Sequence, residues 1–247
     1  MAKKKNAGRT QHAYSMPEMS ELYGQPPYEY RDSKQLLVIF RTDPKFLRTL
    51  VPAPMVADPQ GTMFCVISEF FVSGFGHYFE MGIAATATFQ RRAVNQMLYL
   101  VLDNDIAICG GREIWGFPKK LGRVGLDTSD GVMRGTVERG GIQLVEAAVQ
   151  LKEFGDPAEL AGSYEYISRK LIPSVKNGAP PDVLQLTSTT LQNVVVREVH
   201  KGPATLRFGM SPADPFHRIP VEEIVGGYYY RTDFTLGDGE VVHDYLA

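Results

Sequence analysis

The sequence predicts a mainly β protein: one domain forming a closed or cone-like antiparallel β-barrel, with a few short helices on its periphery. Three observations predict it. Short β-branched and aromatic runs recur along the chain, separated by Gly, Asn, Asp and Pro turn signals. These runs do not alternate with helical patterns, which argues against a doubly wound parallel sheet. The chain has 247 residues, a length that a barrel fills as one unit. A chain of this size buries roughly 70–75% of its extended surface, so its core needs no disulfide or metal.

Residues 1–26 are polar, carry Lys3, Lys4, Lys5 and Arg9, and lack periodicity. They are expected to form a basic, flexible arm ahead of a single domain spanning 27–247. The first strand is QLLVIFR, 35–41. It runs into Asp43-Pro44, an N-cap followed by proline at the first helical position, so a helix should start there and stop by Pro52-Ala53-Pro54. Strand-like runs follow at 63–72, 83–89 and 95–102, with the glycine-punctuated GFGHYFEMG (74–82) among them. Ser129-Asp130-Gly131 and Arg139-Gly140-Gly141 read as hairpin turns joining three strands within 120–152. Residues 153–163 read as a loop or short helix, 219–225 as a short helical turn, and 183–189, 192–199, 204–208 and 227–236 as strands.

Twenty-six Lys plus Arg against 28 Asp plus Glu leave a formal charge of −2. That balance argues against a nucleic-acid binder with a basic face. Cys65 and Cys109 lie far apart and allow at most one disulfide, which excludes a secreted disulfide scaffold. They read as free, buried thiols. The basic N-terminus has no apolar stretch behind it, and the longest apolar run (97–102) is too short for a bilayer, so a cytoplasmic location is expected.

The five histidines form no HxH, HxxxH or HExxH pair, so no metal site is expected from spacing. GFGH at 74–77 lacks the third glycine of a dinucleotide fingerprint and reads as a turn. The segment GGREIWGFPKKLG (110–122) differs, because it sets Trp115, Phe117 and Pro118 directly before Lys119 and Lys120. Adjacent lysines are ordinarily a solvated face. The alternative is a lysine nucleophile, whose amine must be neutral. A free lysine has a pKa near 10.4. Burial lowers it by as much as ~3–5 units, and a neighbouring cation pushes the same way. If PKK is extended, its two lysines point to opposite sides. One then enters a pocket, and burial should outweigh contact between the ammonium groups.

GREIWGFPKKLG resembles the lysine segment of the acetoacetate decarboxylase family. FRTDPKFLRTLVPAP, SGFGHYFEMG, VLDNDIAICGGRE, KGPATLRF and EVVHDYL follow in family order, so the resemblance covers about residues 27–246. Acetoacetate decarboxylase is itself the standard instance of an activated lysine, so the chemical argument and the resemblance are not independent. The resemblance implies that Lys119 is the Schiff-base lysine, Lys120 the adjacent lysine that helps depress its pKa, and Glu80 the active-site glutamate. It implies a β-keto acid substrate, no cofactor and no metal, and a homo-oligomer with neither nucleic acid nor membrane as partner. Trp115 and Phe117 would help keep Lys119 dry.

Two departures stand out. Family members that decarboxylate acetoacetate carry an arginine where Ser33 falls here, and Arg31 is the nearest substitute, two residues earlier on the face an extended strand would share. A second family acid falls at Cys65, with Glu69 four residues on. These departures motivate an alternative, a Schiff-base aldolase or aldolase-dehydratase acting on pyruvate or another 2-oxo acid. A non-catalytic small-molecule-binding barrel is the further alternative.

Overall fold

The protein is described by a computed structural model covering residues 13–160, 162 and 164–247. Residues 1–12 of the expected arm lie outside the described residues. In the remainder, Ser15 Oγ donates to Tyr23 O (2.7 Å). The Tyr23 ring packs against Gly110.

The described residues are mainly strand. The first elements are β1 (Tyr28–Arg41), α1 (Pro44–Leu50), β2 (Val56–Ala57), β3 (Thr62–Val72), β4 (Gly76–Phe89), β5 (Arg92–Leu102), α2 (Asp105–Ile114) and β6 (Lys119–Leu121). Then follow β7 (Arg123–Ser129), β8 (Val132–Arg139), β9 (Ile142–Gln150), β10 (Glu153–Phe154), β11 (Glu165–Ile172) and β12 (Val183–Lys201). The chain ends with β13 (Ala204–Phe208), β14 (Glu223–Leu236) and β15 (Glu240–Asp244). Among the described residues, no helix is long and apolar enough to cross a membrane.

Local chemistry accounts for several boundaries. Asp43 caps α1 by accepting from Lys45 N at 2.7 Å, with Pro44 in the first turn. Asp130-Gly131 and Gly140-Gly141 all have positive φ. That is the geometry of two-residue hairpin loops whose twist matches their strands, and it yields the expected β7–β8–β9 meander. The helical turn expected at 219–225 is corrected. A 3-10 turn occupies Phe216–Arg218, following Pro215, and β14 already begins at Glu223. The stretch 74–89 is also simpler than its glycines suggested, because only Ser73–Phe75 turns and β4 runs unbroken from Gly76.

One sheet pairs in the order β2-β4-β3-β1-β14-β12-β11-β5-β6, and β4 also pairs with β5. The expectation of wholly antiparallel pairing is corrected, since β5 runs parallel to both β6 and β11. Parallel neighbours need a crossover, and α2 supplies it between β5 and β6. A second sheet, β13-β9-β8-β7, packs on the first.

Strand alternation divides the side chains between two environments. On β3, Met63, Cys65 and Ile67 enter the core between the sheets. Their alternates Thr62, Phe64, Val66, Ser68 and Phe70 line cavities on the other face. The same core takes Leu36, Val38 and Phe40 of β1 and Val137, Leu144 and Val149 of the second sheet. Tyr28, Tyr30, Phe70, Phe75, Trp115, Phe117 and Phe234 are among the members of a separate, aromatic-rich cluster.

Burial pushes the Cys65 thiol up to about 12, whereas Cys109 on α2 is only partly buried. A thiol-specific chromogenic reagent should therefore modify Cys109 in the native protein and reach Cys65 only in denaturant. Modification of both thiols at native rates would contradict this placement of β3.

Candidate active site

α2 ends where the site begins. Asn104 caps its start, accepting from Ala107 N at 2.9 Å. Gly116 ends it with φ +69, its N–H donating to Arg112 O (3.2 Å). Glycine suits that left-handed position, where a side chain would be strained. Phe117 and Pro118 then lead directly into β6, whose first residue is Lys119. Arg112 Nη1 donates to Lys119 O (3.2 Å), tying the helix to this strand.

β6 is extended, so its neighbouring side chains diverge as anticipated. Lys119 turns inward, its side chain 7% exposed, with Nζ 2.8 Å from Glu80 Oε2. Lys120 turns outward, its Nζ 2.6 Å from Asp214 Oδ1. Asp214 is 2% exposed and also holds Arg139, at 3.1 Å. The Lys120 ammonium thus shares a carboxylate with Arg139, on the side away from the Lys119 amine. Glu80 arrives from β4, paired with Leu102 of β5, and its side chain is 14% exposed.

The structure therefore brings together two of the expected site residues, Lys119 and Glu80. They face a cavity of about 100 Å³ bordered by Tyr30, Ser68, Phe70, Met97, Phe117, Phe234 and Leu236. Lys119 Nζ lies 5.7 Å from the centre of the Phe117 ring. Trp115 is buried beside Phe117 rather than lining the cavity. Among the described lining residues, Lys119 is the one cation.

Arg31 does not join them. Its side chain is 53% exposed and paired with Glu29 at 2.7 Å. The i, i+2 rule fails here because β1 is irregular between Tyr30 and Ser33, with Asp32 at φ 51. A bulge of this kind inserts a residue and breaks alternation. Ser33 is fully buried, whereas Arg31 is turned to solvent. Cys65 faces the core between the sheets. Glu69 is held away from Lys119, by Lys34 (2.7 Å) and His77 (3.0 Å), which together keep its carboxyl below the usual range despite burial.

Two contributors were not anticipated. The first is Tyr30, whose hydroxyl lies 3.3 Å from that of Tyr78. Burial, reinforced by the charge of Glu80, holds the Tyr30 phenol well above its ordinary range, so it stays protonated beside Glu80. The second is Gly111. A Cβ there would stand 2.6 Å from Lys119 Cε and 2.7 Å from Cδ, so the glycine makes room for the lysine stem. The glycine doublet 110–111 was its only sequence signal. Gly111→Ala should displace Lys119 and lower kcat by about 100-fold, the effect of a misplacement near 1 Å. Turnover with circular dichroism checks this: near-normal activity in a folded variant would show that the stem has slack.

Comparison with known proteins agrees with this geometry. The sequence profile described as Acetoacetate decarboxylase (ADC) matches residues 14–246. An acetoacetate decarboxylase of Ralstonia nicotianae is 33% identical over 240 residues, covering 95% of this chain and 96% of its own. The crystal structure of acetoacetate decarboxylase from Legionella pneumophila superposes with a TM-score of 0.90 at 27% identity, covering all of both chains. MppR, an enduracididine biosynthesis enzyme solved with pyruvate, shares the fold at a TM-score of 0.83 and 19% identity, over 94% of this chain and 98% of its own. The chain belongs to the acetoacetate decarboxylase family of carboxy-lyases.

Proposed function

We propose that the protein decarboxylates a 3-oxo acid through a Schiff base on Lys119. The observation that carries this reading is the 2.8 Å contact between Lys119 Nζ and Glu80 Oε2 in a cavity with largely apolar walls. A proton passing from nitrogen to oxygen along that contact leaves a neutral amine beside a neutral acid, and the pair's net charge does not change. The amine adds to the substrate ketone. Glu80 returns its proton to the carbinolamine oxygen, water leaves, and an iminium forms. The iminium accepts the electron pair of the breaking carbon–carbon bond and carbon dioxide departs. The enamine is protonated on carbon, and hydrolysis frees the product ketone and Lys119. Lys120 contributes little directly, because its ammonium points away from the cavity toward Asp214. Exclusion of water is the larger influence. The ring of strand pairings acts as a closed barrel around this site, within one domain spanning 27–247 that assembles as a homo-oligomer in the cytoplasm.

Borohydride reduction in the presence of a 3-oxo acid tests the reading. The expected result is a stable adduct on the peptide containing Lys119, located by mass mapping. No adduct with any of several keto acids would leave only a binding protein.

One observation favours a second reading. Among the described residues no arginine lines the cavity, and Arg31 lies outside it. An iminium formed from a 2-oxo acid would give an enamine able to add to an aldehyde. Product analysis separates the two: carbon dioxide from a 3-oxo acid, or a condensation product from pyruvate and an aldehyde.

A further inference from the structure

We infer that the substrate carries an uncharged, largely apolar tail that occupies a second chamber beside the Lys119 cavity. This inference rests on the Schiff-base reading and names the substrate class.

The second chamber measures about 320 Å³, against about 100 Å³ for the cavity at Lys119. The two share Gln35, Val66, Tyr166, Leu191 and Phe234, so these residues form the waist between adjoining chambers. Ligand pockets for sizeable small molecules begin near 300 Å³. The cavity at Lys119 is large enough for the reacting carbons, whereas the chamber beyond the waist is of a size to take much more.

The chamber's chemistry selects its occupant. Leu37, Ile39, Phe64, Val196 and Tyr230 supply apolar surface from four strands. Among the described residues lining it there is no cation. The one carboxylate, Glu159, is at the edge and is ion-paired with Lys201 at 2.8 Å. An anionic tail would meet no cation there, only Glu159. Neutral polar groups are spread through the chamber (Thr62, Thr86, Asn95 and Thr232) and also stand at the waist. Tyr230 Oη donates to Gln35 Oε1 (2.9 Å), which orients the amide of a residue that borders both spaces, and an amide N–H is a donor. That donor fits a carbonyl or hydroxyl partway along the tail.

The placement of Arg31 gives the chamber its significance. With no guanidinium lining the reacting end, recognition must come from elsewhere, and burial of the tail supplies it. Each methylene moved from water into such a chamber is worth about fourfold in binding.

The test compares acetoacetate, 3-oxohexanoate, 3-oxooctanoate and benzoylacetate, measuring kcat/KM and borohydride adducts for each. The expected result is a rise of about fourfold per added methylene, so that 3-oxohexanoate exceeds acetoacetate by at least tenfold. Val196→Trp and Thr62→Phe, which fill the chamber from β12 and β3, should each lower the octanoate-to-acetoacetate ratio at least tenfold. That ratio is internal to each variant, so a general loss of folded protein does not imitate it. Adducts on Lys119 with kcat/KM flat or falling along the series would overturn the tail inference and leave the Schiff base standing. No adduct with any of the four acids would overturn both.

Discussion

Lys119→Ala is expected to abolish turnover, lowering kcat/KM by roughly 10⁴-fold or more, as loss of a covalent nucleophile does. That is about 5.5 kcal/mol of transition-state stabilisation. The methyl group left behind can form no iminium, and no other described residue lining the cavity carries an amine that could replace it. Borohydride should then trap nothing on the β6 peptide, while circular dichroism stays native. Lys120→Ala is the matched control. Its ammonium faces Asp214 rather than the cavity, so activity should fall by less than about tenfold. Near-full activity in Lys119→Ala would remove the mechanism. Equal losses in both variants would instead place charge repulsion above exclusion of water.

Glu80→Gln should cost about 10²–10⁴-fold in kcat, the usual worth of a positioned general acid–base. The amide keeps the shape of the carboxylate and can still contact Lys119 Nζ. It cannot take the lysine proton or return one to the departing water. The split between kcat and KM is the sharper readout: kcat should fall while KM changes little. A parallel shift in KM alone would mean that Glu80 only shapes the cavity. A stability loss is expected as well, because removing one partner of a buried pair leaves the other uncompensated.

The sequence revealed those parts of this molecule that local rules govern. Asp43-Pro44 started α1, and the two glycine turns set the β7–β8–β9 meander, because capping and positive φ act within a few residues. α2 was not foreseen. Its adjacent glycines Gly110 and Gly111 weaken a helical pattern, and both are there for packing, against Tyr23 and the Lys119 stem. At the site, the extended PKK segment correctly sent its two lysines apart. The pairing of Lys119 with Glu80 came from family resemblance, since 39 residues separate them and no local pattern links them. Arg31 was misplaced for a physical reason: alternation holds only where a strand is regular, and Asp32 interrupts it.

Lys119 comes into position through one short excursion, β5 to α2 to β6, while most walls of the larger chamber come from β1, β3, β12 and β14, with only Ala93, Val94 and Asn95 at the start of β5 among them. On the proposed reading, the nucleophile and most of the walls that would select the substrate are set by different stretches of the chain, so drift in those walls would retune what is accepted while Lys119 stays in place. An engineer seeking a new specificity would accordingly randomise Leu37, Ile39, Thr62, Phe64 and Val196 and leave Tyr30, Glu80 and residues 104–121 untouched.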